Sequence, residues 1–250
     1  MHLAIETLRI VGEEAGCRVI DQEDSLREAI AERRAELPQS EEKPDKVYVM
    51  ADGTMIHAEG DWHEIRVNAV VAEDAQGVRS RCRSQARFLA PQSLGWLLVM
   101  MARQAGYQNA RVKVFLADGA AWLWKLQEQF FGGAVGILDW YHLAQKVHGT
   151  AEGCFGEVDK QQAWAKRIKD LLWDGKSTEA LAEVLALERM SRSSTKRASA
   201  HALRTYLENQ AGHIDYPRYR EMGLSIGSGV VESQCKTLVG GRCKQAGMRD

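Results

Sequence analysis

The chain has 250 residues, 45% hydrophobic and 27% charged, an ordinary globular composition with enough length to bury one large core or two small ones. No apolar run reaches the roughly 18 residues of a membrane span, and the acidic start "MHLAIETLRIVGEEAGCRVI" lacks the basic-then-apolar order of a secretory signal. The net charge of −1 is unevenly spread: residues 1–45 hold 6 Lys/Arg against 12 Asp/Glu, residues 46–159 hold 11 against 12, and residues 160–250 hold 16 against 10. The basic last third suits a polyanionic partner, although a solvated helical surface carries the same bias. Cys17, Cys82, Cys154, Cys235 and Cys243 are scattered and form no C-x-x-C pair, which points to reduced thiols in the cytoplasm and no zinc knuckle.

Residues 1–37 predict helix: apolar positions lead into "DSLREAIAERRAEL", an Asp/Ser start followed by helix formers. "PQSEEKPD", residues 38–45, reads as a linker. Three strands follow in "KVYVMADGTMI", "HEIRVNAVVAED" and "VRSRCRSQARFLA", joined by the turn-like "HAEGDW" and "DAQG". A helix comes next in "PQSLGWLLVMMARQAGY", with Pro91 near its start and Gly106 near its end. After it come the strand "RVKVFLADG", the helix "AAWLWKLQEQFF", the short strand "AVGIL" and the helix "DWYHLAQKVHG". A meander followed by alternating β and α predicts a mixed sheet covered by helices. Residues 155–222 read as almost wholly helical, and "GLSIGSGVVESQCKTLVGGRCKQAGMRD" opens as a Gly/Ser turn and becomes a helix near Ser228–Gly229.

Two strands are expected to stop at the same Ala-Asp-Gly, at Asp52-Gly53 and at Asp118-Gly119. A strand holds its terminal carboxylate rigidly, and the glycine lets the chain turn away and leaves room for a ligand. Asp-Gly is also a common turn dipeptide, so both readings stay open. Glu232, in the first turn of the final helix, is a third carboxylate, though acids favour helix starts for their dipole alone. Three carboxylates suit a pair of Mg2+ ions, whose hard-oxygen coordination serves phosphodiester chemistry on a polyanion.

The motifs "ADGTMI", "LADGAAWLW", "ILDWYHLAQKV" and "GSGVVESQCKTLVGGRCKQAGMR" resemble those of DDE transposases of the bacterial insertion-sequence group known as the ISKra type, over residues 46–249. The resemblance implies an RNase H-like α/β fold: a mixed five-stranded sheet with flanking helices and an all-helical insertion before the last helix. Residues 1–45 would then form an N-terminal helical segment and linker, 46–154 the core, 155–222 the insertion, and 223–250 the final catalytic helix. Asp52, Asp118 and Glu232 become the catalytic, metal-binding acids for two Mg2+ ions, with Mn2+ able to substitute. Gly53, Gly119, Asp139, His142 and Ser228 become near-site residues. Lys236, Arg242 and Lys244 on the final helix, with Arg192, Lys196 and Arg197 in "ERMSRSSTKR", become DNA contacts. The implied activity is metal-dependent cleavage of double-stranded DNA at transposon ends and transfer to a target, by a homo-oligomer in the nucleoid-associated cytoplasm, with no membrane partner. Members continue beyond "GMR" and carry a longer N-terminal DNA-binding module, so the resemblance also implies a truncated copy. Two other activities are compatible with the same fold: a catalytically dead nucleic-acid-binding remnant, and an RNase H-like nuclease without strand transfer.

Several residues keep a plainer reading beside this one. Asp139 is placed to cap the helix that begins at Trp140. His142 has no second His or carboxylate four residues away and is not expected to be a ligand. Trp122 and Trp124 suit either a sheet–helix seam or base stacking, and Trp164, Ile168, Leu171 and Leu172 fall at core spacing. His57 and His63 flank a turn.

Overall fold

A computed structural model describes residues 5–58, 60–227 and 229. Helix α1 spans Ile5–Ala31, and a meander of β1 (Lys46–Ala58), β2 (Asp61–Glu73) and β3 (Arg79–Arg87) leads to α2 (Pro91–Gln104). Next come β4 (Val112–Ala117), α3 (Ala121–Phe131), β5 (Val135–Leu138) and α4 (Trp140–Cys154). Four more helices follow: α5 (Val158–Trp173), α6 (Ser177–Met190), α7 (Ser194–Asn209) and α8 (Tyr216–Glu221). The protein is an α/β fold built on one open sheet of five strands in the order β3-β2-β1-β4-β5. The meander pairs are antiparallel, whereas β4 lies parallel to both β1 and β5.

Alternation along the strands divides the core in two. Val47, Val49 and Ala51 of β1 and Phe115 and Ala117 of β4 meet Leu94, Leu97, Leu98 and Met101 of α2 and Leu123 of α3. Tyr48 and Met50, with Val114 and Leu116, face the other way onto α4 and α5–α8, where Leu143, Ile168, Val184, Leu207 and Tyr216 are buried with them. Both faces of the central strands are therefore covered, and "KVYVM" and "VKVFLA" are near-continuous apolar runs. Residues 155–222 extend the core of one sheet face. Trp164 and Leu171 pack at its margin beside the buried Ile168 and Leu172.

Asp74 makes the β2–β3 turn: its Oδ1 accepts from the backbone N–H of Gln76 (2.9 Å) and Val78 (2.8 Å). Pro91 opens α2, and Gly106 follows it with φ +82°, a conformation that glycine adopts without strain.

Two expectations change in detail. The linker before β1 is stapled to the turn after α2: Ser40 O accepts from Gln108 (2.9 Å) and Asn109 (2.8 Å), and Asp45 pairs with Arg111 through two bonds. Helix α1 docks only by its second half, where Glu23 accepts from Gln85 and Asp24 pairs with the buried Arg87 at 2.5 Å. Ile10 and Val11 in its first half, and Val19 and Ile20 just past its middle, are exposed.

Candidate active site

The site is built where the parallel pairings end. Met50 is the last β1 residue opposite β4, facing Leu116, and β4 itself ends at Ala117. Asp52 and Asp118 each stand two residues beyond that last pair, in step with one another. Both share the parity of the residues that face α4–α8, so the strand period places them over the same helices. Asp139 directly follows β5, whose Leu138 pairs with Ala117, and its N–H donates to Ala117 O at 2.8 Å.

The Asp52 turn does not occur. β1 runs straight through Asp52-Gly53 to Ala58, because residues 51–58 stay paired with 61–68 of β2 after β4 has stopped. Gly53 is ordinary strand backbone opposite Arg66, and a side chain there would strike Glu64 Oε1 at 2.6 Å. A shorter neighbour, not a break in β1, brings Asp52 to the rim.

At Asp118 the turn does form. Its Oδ1 accepts from Ala120 N–H at 2.8 Å, and Gly119 has φ +94°. A Cβ on Gly119 would lie 2.9 Å from both Leu138 Cδ1 and Tyr206 Oη, so this glycine answers two needs at once. The turn is clasped by α7: Tyr206 Oη donates to Asp118 O (2.9 Å) and Gln210 Nε2 to Gly119 O (3.0 Å). Gln210 is oriented in turn by Trp124 Nε1, which donates to its Oε1 at 2.6 Å, and the Trp124 ring stacks on His213 at 3.8 Å. Tyr206 and Gln210 were not legible as site residues. The spacing of Leu203, Leu207 and Gln210 marks a buried face, but nothing local identifies a carbonyl 88 residues away as the partner.

Asp139 is fully buried and caps α4, accepting from His142 N–H at 2.9 Å. The His142 ring lies over the site. The Asp139 carboxylate, 3.5 Å from Nδ1, raises the His142 pKa above the ordinary imidazole value. Burial opposes the rise, and the charges of Asp118 and Asp52 add to it. At that distance the contact is a near ion pair, and Nδ1 has no well-formed hydrogen bond. Burial pushes the Tyr206 hydroxyl pKa up, and the charges of Asp118 and Asp139 push it further. Asp118 and Asp139 thus act electrostatically on both His142 and Tyr206.

Among the described residues no three His, Cys, Asp or Glu side chains form a metal-holding group. Asp139 is committed to its cap, and His142 has the charge preference of a cation. Asp52 and Asp118 have the donor chemistry for a hard cation, but two carboxylates alone do not complete a site, which needs at least a third ligand. Glu232, Ser228, Lys236, Arg242 and Lys244 lie outside the described residues. The chain that leads to them passes the site: Ser225 N–H donates to Tyr48 Oη at 3.1 Å, Ile226 O accepts from Trp140 N–H at 2.9 Å, and Gly227 packs against the Tyr141 ring.

Arg192 and Arg197 are exposed and Lys196 is half-buried at the start of α7, beside Cys154 at the end of α4. At 1.5 Å per helical residue that is about 18 Å along α4 from His142, so these cations do not join the carboxylates. Trp122 and Trp124 are both half-buried at the sheet–helix seam, the former with Arg66 5.2 Å above its ring. His57 and His63 are exposed, edge-on to Trp62 and Phe88 respectively. No helix among the described residues is long and apolar enough to cross a membrane. Comparison with protein-family models and with curated proteins gives no match.

Proposed function

We propose that this chain is the catalytic core of a DDE-type polynucleotidyl transferase with an RNase H-like fold, which cleaves DNA strands and transfers them. The observation that carries the reading is the pair Asp52 and Asp118, two residues past the last β1–β4 pair and on one face, with His142 sensing both charges. The strand order, with an antiparallel meander joined to a parallel β1-β4-β5 unit, supports it. So does the path of residues 224–227, which delivers the chain to the rim five residues before Glu232, with Gly229 helical.

In this reading Asp52, Asp118 and Glu232 would hold two Mg2+ ions, whose chemistry there would be to lower the pKa of the attacking water or hydroxyl and to offset charge on the leaving oxygen. Tyr206 and Gln210 fix the turn that aims Asp118. His142, kept protonated to higher pH than a free imidazole, presents a cationic donor where the scissile phosphate approaches and orients that phosphate by charge. Gly119 lets the Asp118 turn pack closely against Leu138 and Tyr206. Lys236, Arg242 and Lys244 would contact the flanking phosphates, and double-stranded DNA is the partner.

Nicking of supercoiled plasmid tests the proposal. Mg2+-dependent conversion to open circles, lost in Asp52→Asn and Asp118→Asn while both variants melt as the parent does, is the expected result. DNA binding without any nicking overturns the catalytic reading in favour of a binding remnant, and cleavage restricted to an RNA–DNA hybrid favours a nuclease without strand transfer.

A further inference from the structure

A second feature opens from the same site. Helices α4 and α7 pack side by side in opposite directions: Lys146 lies over the Tyr206 ring towards one end, while Gly153 meets Ser199 and Cys154 Sγ reaches Lys196 O at the other. Between them lies a cleft of about 480 Å3. One wall carries His142, Gln145 and Lys146, and the other carries Ser199 and Tyr206.

We propose that this cleft is the track along which a sugar–phosphate strand reaches the Asp52–Asp118 carboxylates. The proposal rests on the phosphodiester reading of that site and adds the route of its substrate.

Four properties carry it. None of the described residues lining the cleft is acidic, although its inner end abuts a cluster of carboxylates. Phosphates therefore meet cationic and neutral groups along the cleft and carboxylates only at the point of reaction, where a metal ion would offset them. Lys146 offers its ammonium 5.3 Å over the Tyr206 ring, held at the wall by cation–π attraction. Gln145 and Ser199 supply neutral groups of the kind that hold a phosphate backbone without reading sequence. The length also fits. The lining runs from His142 to Thr150 on α4, about 12 Å at 1.5 Å per residue, which is longer than one nucleotide step of a strand. Exposed Arg197 and, in the turn before α7, exposed Arg192 stand past the outer end, where the strand would continue. Their distance from the carboxylates becomes meaningful as an outer phosphate contact.

Gly149 gives direct access to the test. It lines the cleft towards its outer end, and an added Cβ there meets nothing within 4 Å. A side chain at this position projects into the cleft without disturbing packing, and both alanine and glutamate improve on glycine in a helix. The experiment is fluorescence anisotropy with the full chain and a labelled random-sequence DNA duplex in chelator, which reads binding apart from cleavage. Gly149→Glu is expected to weaken binding at least about tenfold by placing a like charge in the phosphate path, and Gly149→Ala to change it less than about twofold. Lys146→Gln is expected to weaken it several-fold and to lower the salt slope by about one.

Wild-type affinity and salt slope in both Gly149→Glu and Lys146→Gln overturn the track, as does failure of the parent chain to bind the duplex. Lys146 is a surface side chain, so its variant carries the test if Gly149→Glu fails to fold. An RNA–DNA hybrid run in parallel separates the two sources of a phosphate strand. Asp52-dependent nicking with normal binding in the cleft variants leaves the catalytic reading standing and removes the track. Loss of binding in those variants without nicking by the parent keeps the track and removes the catalysis.

Discussion

The two faces of the sheet are closed by different means. On the α2–α3 side the strands meet aliphatic and aromatic side chains, so tightly that a Cβ on Gly95 would fall 2.2 Å from the Phe130 ring. On the α4–α8 side a comparable apolar core is crossed by hydrogen bonds aimed at strand-end carbonyls. Tyr216 Oη donates to Leu138 O and Tyr219 Oη to Gly136 O, both at 3.1 Å, while Tyr206 and Gln210 take Asp118 and Gly119. Apolar packing is indifferent to small rotations, whereas a hydrogen bond fixes an angle. The face that bears the carboxylates is the one closed by directional contacts, as expected where a side chain must be aimed.

The contrast can be broken by mutation. The largest loss of stability is expected on the apolar face: Phe115→Ala, fully buried, should cost about 3–5 kcal/mol by urea denaturation. Gly119→Ala forces a left-handed backbone and two close contacts, and should cost about 1–3 kcal/mol. It should also lower plasmid nicking further than its melting shift explains. Tyr206→Phe removes a single hydroxyl contact and should cost only about 1 kcal/mol. Its nicking rate should still fall at least about tenfold, because the Asp118 turn loses its tether. Equal loss of stability and rate across these three variants would erase the distinction between the faces.

Smaller still is the pH dependence, where two histidines on the α4–α8 side carry opposite signs. His142 has a raised pKa, so its contribution is fully present below about pH 6.5 and is lost as pH rises through the folded value. His213 is pushed down by burial against the Trp124 ring, with its bond to Gly136 O opposing. Its contribution is present above about pH 6.5 and is lost as pH falls through its folded value. NMR titration should find His142 titrating above, and His213 below, the ordinary imidazole value. His142→Asn should flatten the decline in melting temperature above about pH 6.5.

The meander, the β-α alternation and the helices of residues 155–222 were legible because each is written in a local period. Strand length was not. Asp52-Gly53 has the composition of a turn, yet the ladder to β2 continues through it, since pairing with a partner outweighs a dipeptide preference. The adjacency of the two strands was legible, and β1 and β4 do pair in parallel up to Met50 and Leu116. The clasp by Tyr206 and Gln210 left no trace in the pattern, and neither did the stapling of residues 40–45 by Gln108, Asn109 and Arg111. Both are contacts of a side chain with groups more than 60 residues distant.

The tyrosines of α8 have a consequence for how copies of this chain can meet. Gly136 and Leu138, two residues apart, point their carbonyls to the same outer side of β5, and the hydroxyls of Tyr219 and Tyr216 occupy both. The opposite margin, β3, shows solvent the guanidinium groups of Arg79 and Arg83. A foreign strand finds saturated acceptors on one flank and repelling charge on the other, so sheet-to-sheet templating is blocked at both ends.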